Sequence, residues 1–171
     1  AAALPPEARK MREAYLAELT KIAGEYDAAL LPMAENYLLD LRRLAVRLTG
    51  LKDNAGTETT RKEAARFMKA LVDEPDPFET VPEMPAEVLV AEPAALRLTQ
   101  QEYAARRTAA DLLRNEKVIA LADKYIGGLD RLVAHFEQSN QPQQAAASKK
   151  EATRVRVAMQ RKDFANRAFD E

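Results

Sequence analysis

The sequence predicts an all-α protein: two tandem long-short helical hairpins, packed as an antiparallel, pseudo-two-fold elongated bundle and joined by a proline-rich acidic strap. Three observations predict it. Ala, Leu, Glu, Lys and Arg are abundant, Gly occurs only 5 times in 171 residues, and alternating runs of Val, Ile and Thr are scarce, which is a helical composition. An apolar stripe with a period of eleven residues runs along the first fifty positions. The sequence also matches itself, without a gap, when shifted by 88 positions.

The stripe comprises Met11, Tyr15, Leu19, Ile22, Tyr26, Leu30, Met33, Tyr37, Leu41, Leu44 and Leu48. Eleven residues in three turns is about 3.67 per turn, so the stripe runs almost parallel to a helix axis. The segment reads as one amphipathic helix about 55 Å long, at a rise of about 1.5 Å per residue. Pro5 and Pro6 suit its first turn. Gly24 weakens it by about 1 kcal/mol relative to Ala. Pro32 removes the hydrogen bond to the carbonyl of Ala28, so a kink is expected there. The stripe keeps its phase across Pro32, which argues against a break.

Shifting by 88 aligns 34-AENYLLDLRRL-44 with 122-ADKYIGGLDRL-132 and 61-RKEAARF-67 with 149-KKEATRV-155. Over residues 9–70 against 97–158, 14 of 62 pairs are identical. The match includes the stripe pairs Tyr15/Tyr103, Tyr37/Tyr125, Leu41/Leu129 and Leu44/Leu132. This agreement across an expected loop indicates an internal duplication of a helical hairpin. Copy 1 spans 1–72, the linker 73–97, and copy 2 spans 98–171 with a basic C-terminal helix. The long helices should end near Leu51 and Gln138. Loops are expected at 49–59 and 137–147, where Asn54, Gly56, Asn140 and Pro142 act as breakers. Thr60-x-x-Glu63 and Ser148-x-x-Glu151 fit capping boxes for the short helices, with Pro142 allowing an earlier start for the second. Thr99-x-x-Glu102 fits a third box, opening the second long helix.

The linker 73-DEPDPFETVPEMPAEVLVAEPAAL-96 has five Pro and no basic residue. Proline at this density excludes a regular helix. Its apolar residues, among them Phe78, Val81, Met84 and Val88-Leu89-Val90, predict an extended strap lying on the helices, with the last three able to form a strand. The second long helix is more polar early on, at Thr99, Arg107 and Arg114, and any symmetry should be poorest there.

Residues that could carry chemistry are few. Cysteine is absent, which excludes disulfides and thiolate metal sites. The single histidine, His135, has Leu132 three positions before it, which excludes the Glu-x-x-His of di-metal helical bundles. A surface or half-buried role is expected for it. No P-loop, G-x-S-x-G or G-x-G-x-x-G occurs. Gly127-Gly128, inside a helical pattern, suits close helix approach. The five tyrosines, at stripe spacing, suit ring packing with hydroxyls reaching polar partners. No catalytic, metal or cofactor residue is therefore expected, and no cofactor.

Net charge is −1, so no overall field favours nucleic acid or anionic lipid. No run approaches the roughly 18 apolar residues of a membrane span. Charge is segregated locally. The segment 149–167 is net +5, and the strap from Asp73 to Glu92 is net −7. Either the two complement each other, which is the preferred reading, or the basic segment is an interaction surface formed by Lys149, Lys150, Arg154, Arg156, Arg161, Lys162, Phe164 and Phe169. Val157, Phe164 and Ala168 recur at helical spacing and give this segment an apolar side, able to dock on the bundle or to meet a partner.

In its long-short hairpin, its Tyr-Leu stripe and its polar loop before a capped return helix, the chain resembles the coiled-coil hairpin repeats of some exported bacterial proteins of unassigned function. The resemblance implies no catalytic residues and an envelope or periplasmic setting. The start 1-AAALPPEARK-10 fits the remainder of a cleaved signal peptide as well as it fits a trimmed chain. The expected function is that of a non-catalytic structural or adaptor module binding another protein. The alternative is binding of a small or extended anionic or glycan ligand in a groove between the hairpins. Homodimerisation is the other way to cover the N-terminal stripe.

Overall fold

The structure, a computed structural model, describes residues 3–73 and 81–167, the last two without side chains. It is all-helical, with α1 at Pro6–Gly50, α2 at Asn54–Asp73, α3 at Ala94–Gln138, α4 at Pro142–Met159 and a short α5 at Phe164–Arg167. The four longer helices pack against one another. No strand occurs among the described residues.

The long helices form where the eleven-residue stripe predicts. Tyr15, Leu19, Ile22, Tyr26, Leu30, Tyr37, Leu41, Leu44 and Leu48 are all buried, and Met11 and Met33 are half-buried. Helix α1 continues through both Gly24 and Pro32. It starts with Pro6 in the first turn, where a missing N–H costs nothing, and Arg9 N donates to the Pro5 carbonyl.

The loops are shorter than expected. Each turn is made by one residue in the left-handed region, Lys52 at φ 59° and Asn140 at φ 54°. The chain then closes through Asp53 N to Leu48 O and Gln141 N to Phe136 O. Asn54, Gly56 and Pro142 are not breakers but sit in the first turns of α2 and α4, where helices tolerate them. The cap of α2 is Asp53, whose Oδ1 accepts from Gly56 N over 2.9 Å. Thr60 and Thr99 cap nothing. Both lie inside helices and return their hydroxyls to the carbonyls four residues back, Gly56 and Ala95. Ser148 also lies inside its helix. A Ser/Thr-x-x-Glu pattern serves a cap only where preceding residues leave the helix, and here they do not.

The tail does not continue as one helix. Helix α4 ends at Met159, and the turn before Phe164 reorients the residues beyond it. Phe164 and Ala165 are buried while Val157 is 54% exposed, so Val157 and Phe164 do not share a side. Ala168 and Phe169 lie outside the described residues, as does Phe78.

The chain divides into two compact units. Unit 1 comprises Ala1–Gly24 with Leu113–Glu171, and unit 2 comprises Glu25–Leu112. The units cut across the sequence copies, since each takes half of each long helix. In unit 1 the two half-helices run antiparallel, with Tyr15 stacked on Tyr125 at 4.5 Å between centroids. Gly128 lies beside Met11, and a Cβ there would come within 3.2 Å of the Met11 sulfur. Helix α4 and Phe164 complete this core. In unit 2 the core is the C-terminal half of α1, the N-terminal half of α3, α2 and the strap.

Among its described residues, from Val81 onward, the strap holds no strand. It forms a 3₁₀ turn at Ala86–Val88. Its backbone polar groups instead meet the side chain of Gln100, which is fully buried. Val90 N donates to Gln100 Oε1 over 2.8 Å, and Gln100 Nε2 donates to the Val88 carbonyl over 2.9 Å. One amide side chain thus does what a neighbouring strand would do. Tyr103 donates to the Pro82 carbonyl over 2.6 Å, and the buried Arg107 donates to the Val81 carbonyl. The early polar stripe of α3 is therefore the strap's anchor. Position 107 is the counterpart of the core residue Leu19, and an arginine suits it because the Val81 carbonyl and the Asp111 carboxylate lie opposite.

Candidate functional site

The most organised polar groups of the molecule are two Tyr-Glu-Arg clusters joining a long helix to a short one. In unit 2 the Tyr37 hydroxyl donates to Glu63 Oε1 over 2.6 Å. Arg66, one turn along α2, donates Nε to Glu63 Oε2 and Nη2 to Oε1, each over 2.7 Å. The Tyr37 ring packs on Phe67 and Tyr103, at 4.8 and 4.7 Å between centroids. In unit 1 the same residue types recur at the same spacing. Tyr125 donates to Glu151 Oε1 over 3.0 Å, and Arg154 donates Nε to Oε2 over 2.9 Å and Nη2 to Oε1 over 3.0 Å. Arg12 adds a second positive group, 3.9 Å from Glu151.

Each buried carboxylate is thus met by a forked guanidinium and a phenol, which satisfies its lone pairs and offsets its desolvation. The hydrogen bonds from Arg154 hold the Glu151 carboxyl below the ordinary glutamate range, against the opposing effect of burial. Burial pushes the Tyr37 and Tyr125 phenols far above their ordinary value, and the adjoining carboxylates reinforce this. Burial also raises Tyr103, to about 12. At neutral pH the phenols therefore keep their protons and Glu151 stays ionised. They hold helices together and are poor proton donors or acceptors for a substrate.

A second polar network anchors the strap in unit 2. Asp111 accepts from the Tyr26 hydroxyl and lies 3.5 Å from Arg107 Nε, an ion-pair contact without hydrogen-bond geometry. Burial opposes the Arg107 charge, but Tyr26 and Asp111 outweigh it and raise its pKa. Ser148 Oγ is buried without a hydrogen-bond partner.

The basic segment is divided. Lys149 and Lys150 are exposed on α4, and Arg161 and Lys162 are exposed in the turn after it. Arg154 is engaged by Glu151 and Arg156 by Asp130 of α3. Phe164 is buried in the unit 1 core, docking on the helices and not facing outward. Phe169 is outside the described residues. The strap belongs to unit 2 and the basic segment to unit 1, and the strap carboxylates Glu74, Asp76 and Glu79 are outside the described residues. His135 is exposed.

Two depressions stand out. In unit 1, one of about 220 Å³ is lined by Met11, Tyr15, Leu121, Tyr125 and Gly128, with Glu18, Lys124 and Arg131 among its polar residues. In unit 2 an open groove of about 520 Å³ lies between α1 and α2, lined by Ala45, Val46 and Ala64 with Arg42 and Arg61. Sequence reading passed over this groove. Its signal was Val46, an exposed apolar residue off the stripe, with the exposed Met68 four residues beyond Ala64 on α2. Among the described residues no group of three or more His, Cys, Asp or Glu could hold a metal ion, and no helix is long and apolar enough to cross a membrane.

Comparison with protein families, with curated proteins and with solved structures gave no match.

Proposed function

We propose that this protein is a non-catalytic helical module that binds another protein through the outer faces of its helices. The observation that carries the reading is a contrast. The buried ionisable groups are consumed in internal clusters, while large apolar side chains at stripe-independent positions are left outside, Val46 and Val72 at 74% and 76% exposure. Scattered surface apolar residues need no explanation, but several sharing one pair of helices mark an interaction face. As part of the same proposal, the chain arose by duplication of a long-short hairpin, with a pseudo-two-fold relation between the copies. The matched Tyr-Glu-Arg clusters support it. An exported setting belongs to this reading too, and fractionation of the source cells tests it.

The test is site-specific photo-crosslinking in cells, with the photoreactive residue at Leu31, Val46, Val72, Ile119 or Val157 in turn. Discrete protein adducts from a contiguous subset are expected. Absence of adducts at every position would overturn the reading. The second reading, a small anionic ligand, is favoured by the unit 1 depression, where the Tyr15 and Tyr125 rings lie beside Lys124 and Arg131. Calorimetric titration with anionic sugars distinguishes it.

A further inference from the structure

We propose that the α1–α2 groove of unit 2 is a docking site for an acidic amphipathic helix of a partner protein. This deepens the adaptor reading and rests on it. The groove lies over the buried Leu41 and Thr60 and is lined by Ala45, Val46 and Thr49 of α1 and Ala64 of α2, a largely apolar surface. Met68 follows Arg61 and Ala64 by seven and four residues and so extends the α2 wall by a turn. It is 44% exposed. Arg42 and Arg61 line the groove, one from each helix. Neither has an ion-pair partner among the described residues.

In unit 1 the corresponding positions are joined to each other across the helices. The residues 88 positions after Arg42 and Met68 are Asp130 and Arg156, and those two form an ion pair joining α3 to α4. In unit 2 the acidic partner is replaced by an arginine and the bridging arginine by a methionine. What remains is a largely apolar groove between two positive charges without ion-pair partners among the described residues, with a thioether able to adapt to whatever covers it. The complementary surface is a row of aliphatic side chains flanked by carboxylates. A helix supplies such a row at i, i+3, i+4 and i+7, and a groove between two antiparallel helices is the shape into which a further helix fits. A second copy of this chain docking groove to groove would set Arg42 and Arg61 against their own symmetry mates. Charge therefore selects a different, acidic partner.

The test uses the whole chain and two labelled helical peptides of about four turns, each with leucines at i, i+3, i+4 and i+7. One carries glutamates on the flanking positions and the other lysines. Fluorescence anisotropy should show saturable, salt-weakened binding of the Leu/Glu peptide only. The double variant Arg42→Asp with Met68→Arg installs the residue pair that bridges unit 1. It should weaken binding by at least about tenfold while leaving Tm close to that of the parent. Arg61→Glu, a change at an exposed residue, should produce the same loss if the double variant folds poorly. The proposal is overturned by equal binding to parent and variants, by equal binding of the Leu/Lys peptide, or by no binding of the Leu/Glu peptide. A parent dimer that the double variant abolishes would also overturn it, by assigning the groove to a second copy. Cross-links from Ile119 or Val157 with none from Val46 would remove the groove and leave the adaptor reading standing. No protein adduct from any position would remove both.

Discussion

Tyr37 on α1 donates its hydroxyl hydrogen to Glu63 on α2 over 2.6 Å, beneath a ring contact with Phe67. This bond ties the long helix to its short partner at a point where both side chains are out of water. Its removal by Tyr37→Phe is expected to cost about 1–3 kcal/mol, the usual penalty for leaving a buried charged group short of a donor. Tyr37→Ala should cost about 3–5 kcal/mol, because the packing on Phe67 and Tyr103 is lost as well. Tyr125→Phe and Tyr125→Ala should follow the same order. Urea denaturation of the four variants checks this, and equal stability of parent and Tyr37→Phe would mean that Glu63 does not depend on the phenol.

Glu151 makes stability pH-dependent in a definite direction. Its folded carboxyl titrates below the ordinary range because Arg154, Tyr125 and Arg12 favour its charged form. The unfolded chain therefore takes up the proton first as pH falls. The contribution of Glu151 is complete above the ordinary glutamate pKa, and it declines as pH drops from about 5 through the lower folded value. Denaturation midpoints measured across this interval should fall more steeply for the parent than for Glu151→Gln, which should also be less stable at neutral pH.

The strap depends on three side chains of α3. Gln100→Ala removes both amide bonds to the strap backbone at positions 88 and 90, an expected loss of about 1–3 kcal/mol given the buried groups left unpaired. Arg107→Leu restores the residue type found at position 19 but leaves the Val81 carbonyl and Asp111 without their cation. Limited proteolysis should cut both variants within 81–93 faster than the parent, and unchanged cleavage would show that the strap is held by its apolar contacts alone.

Backbone conformation and local space rank three substitutions. Gly24 has nothing within 4 Å of a would-be Cβ, so Gly24→Ala should stabilise α1 by about 1 kcal/mol. Lys52 sits at φ 59°, and Lys52→Asn should gain up to about 1 kcal/mol at a position Asn tolerates better. Gly56→Ala should gain nothing. Its Cβ would come within 2.2 Å of Asp53 Oδ2, displacing the cap of α2, and a lost cap costs about as much as the better helix former returns. Thermal melts of the three variants test the ranking.

Much of this was legible in advance for a physical reason. A stripe buried along a helix must recur near the helical period, so Tyr15, Leu19, Tyr26, Leu30, Tyr37 and Leu41 named their own burial. The groove was less visible, since Val46, Met68 and Arg42 look like ordinary surface residues one at a time. Only their placement along one groove between α1 and α2, with Asp130 and Arg156 for comparison, leads to the docking site proposed above. The cap positions were misread because Thr60 and Thr99 carry a pattern that works at a helix start and is harmless within one.

Taken alone, the sequence determined the helical class, the long and short segments and the faces they bury, because periodicity and composition are local properties that every residue reports. Tertiary structure decided what each polar residue is for. Arg107 became an anchor, Gln100 a stand-in for a strand, and Glu63 and Glu151 the acceptors of buried phenols, because each role depends on which group from a distant part of the chain lies opposite.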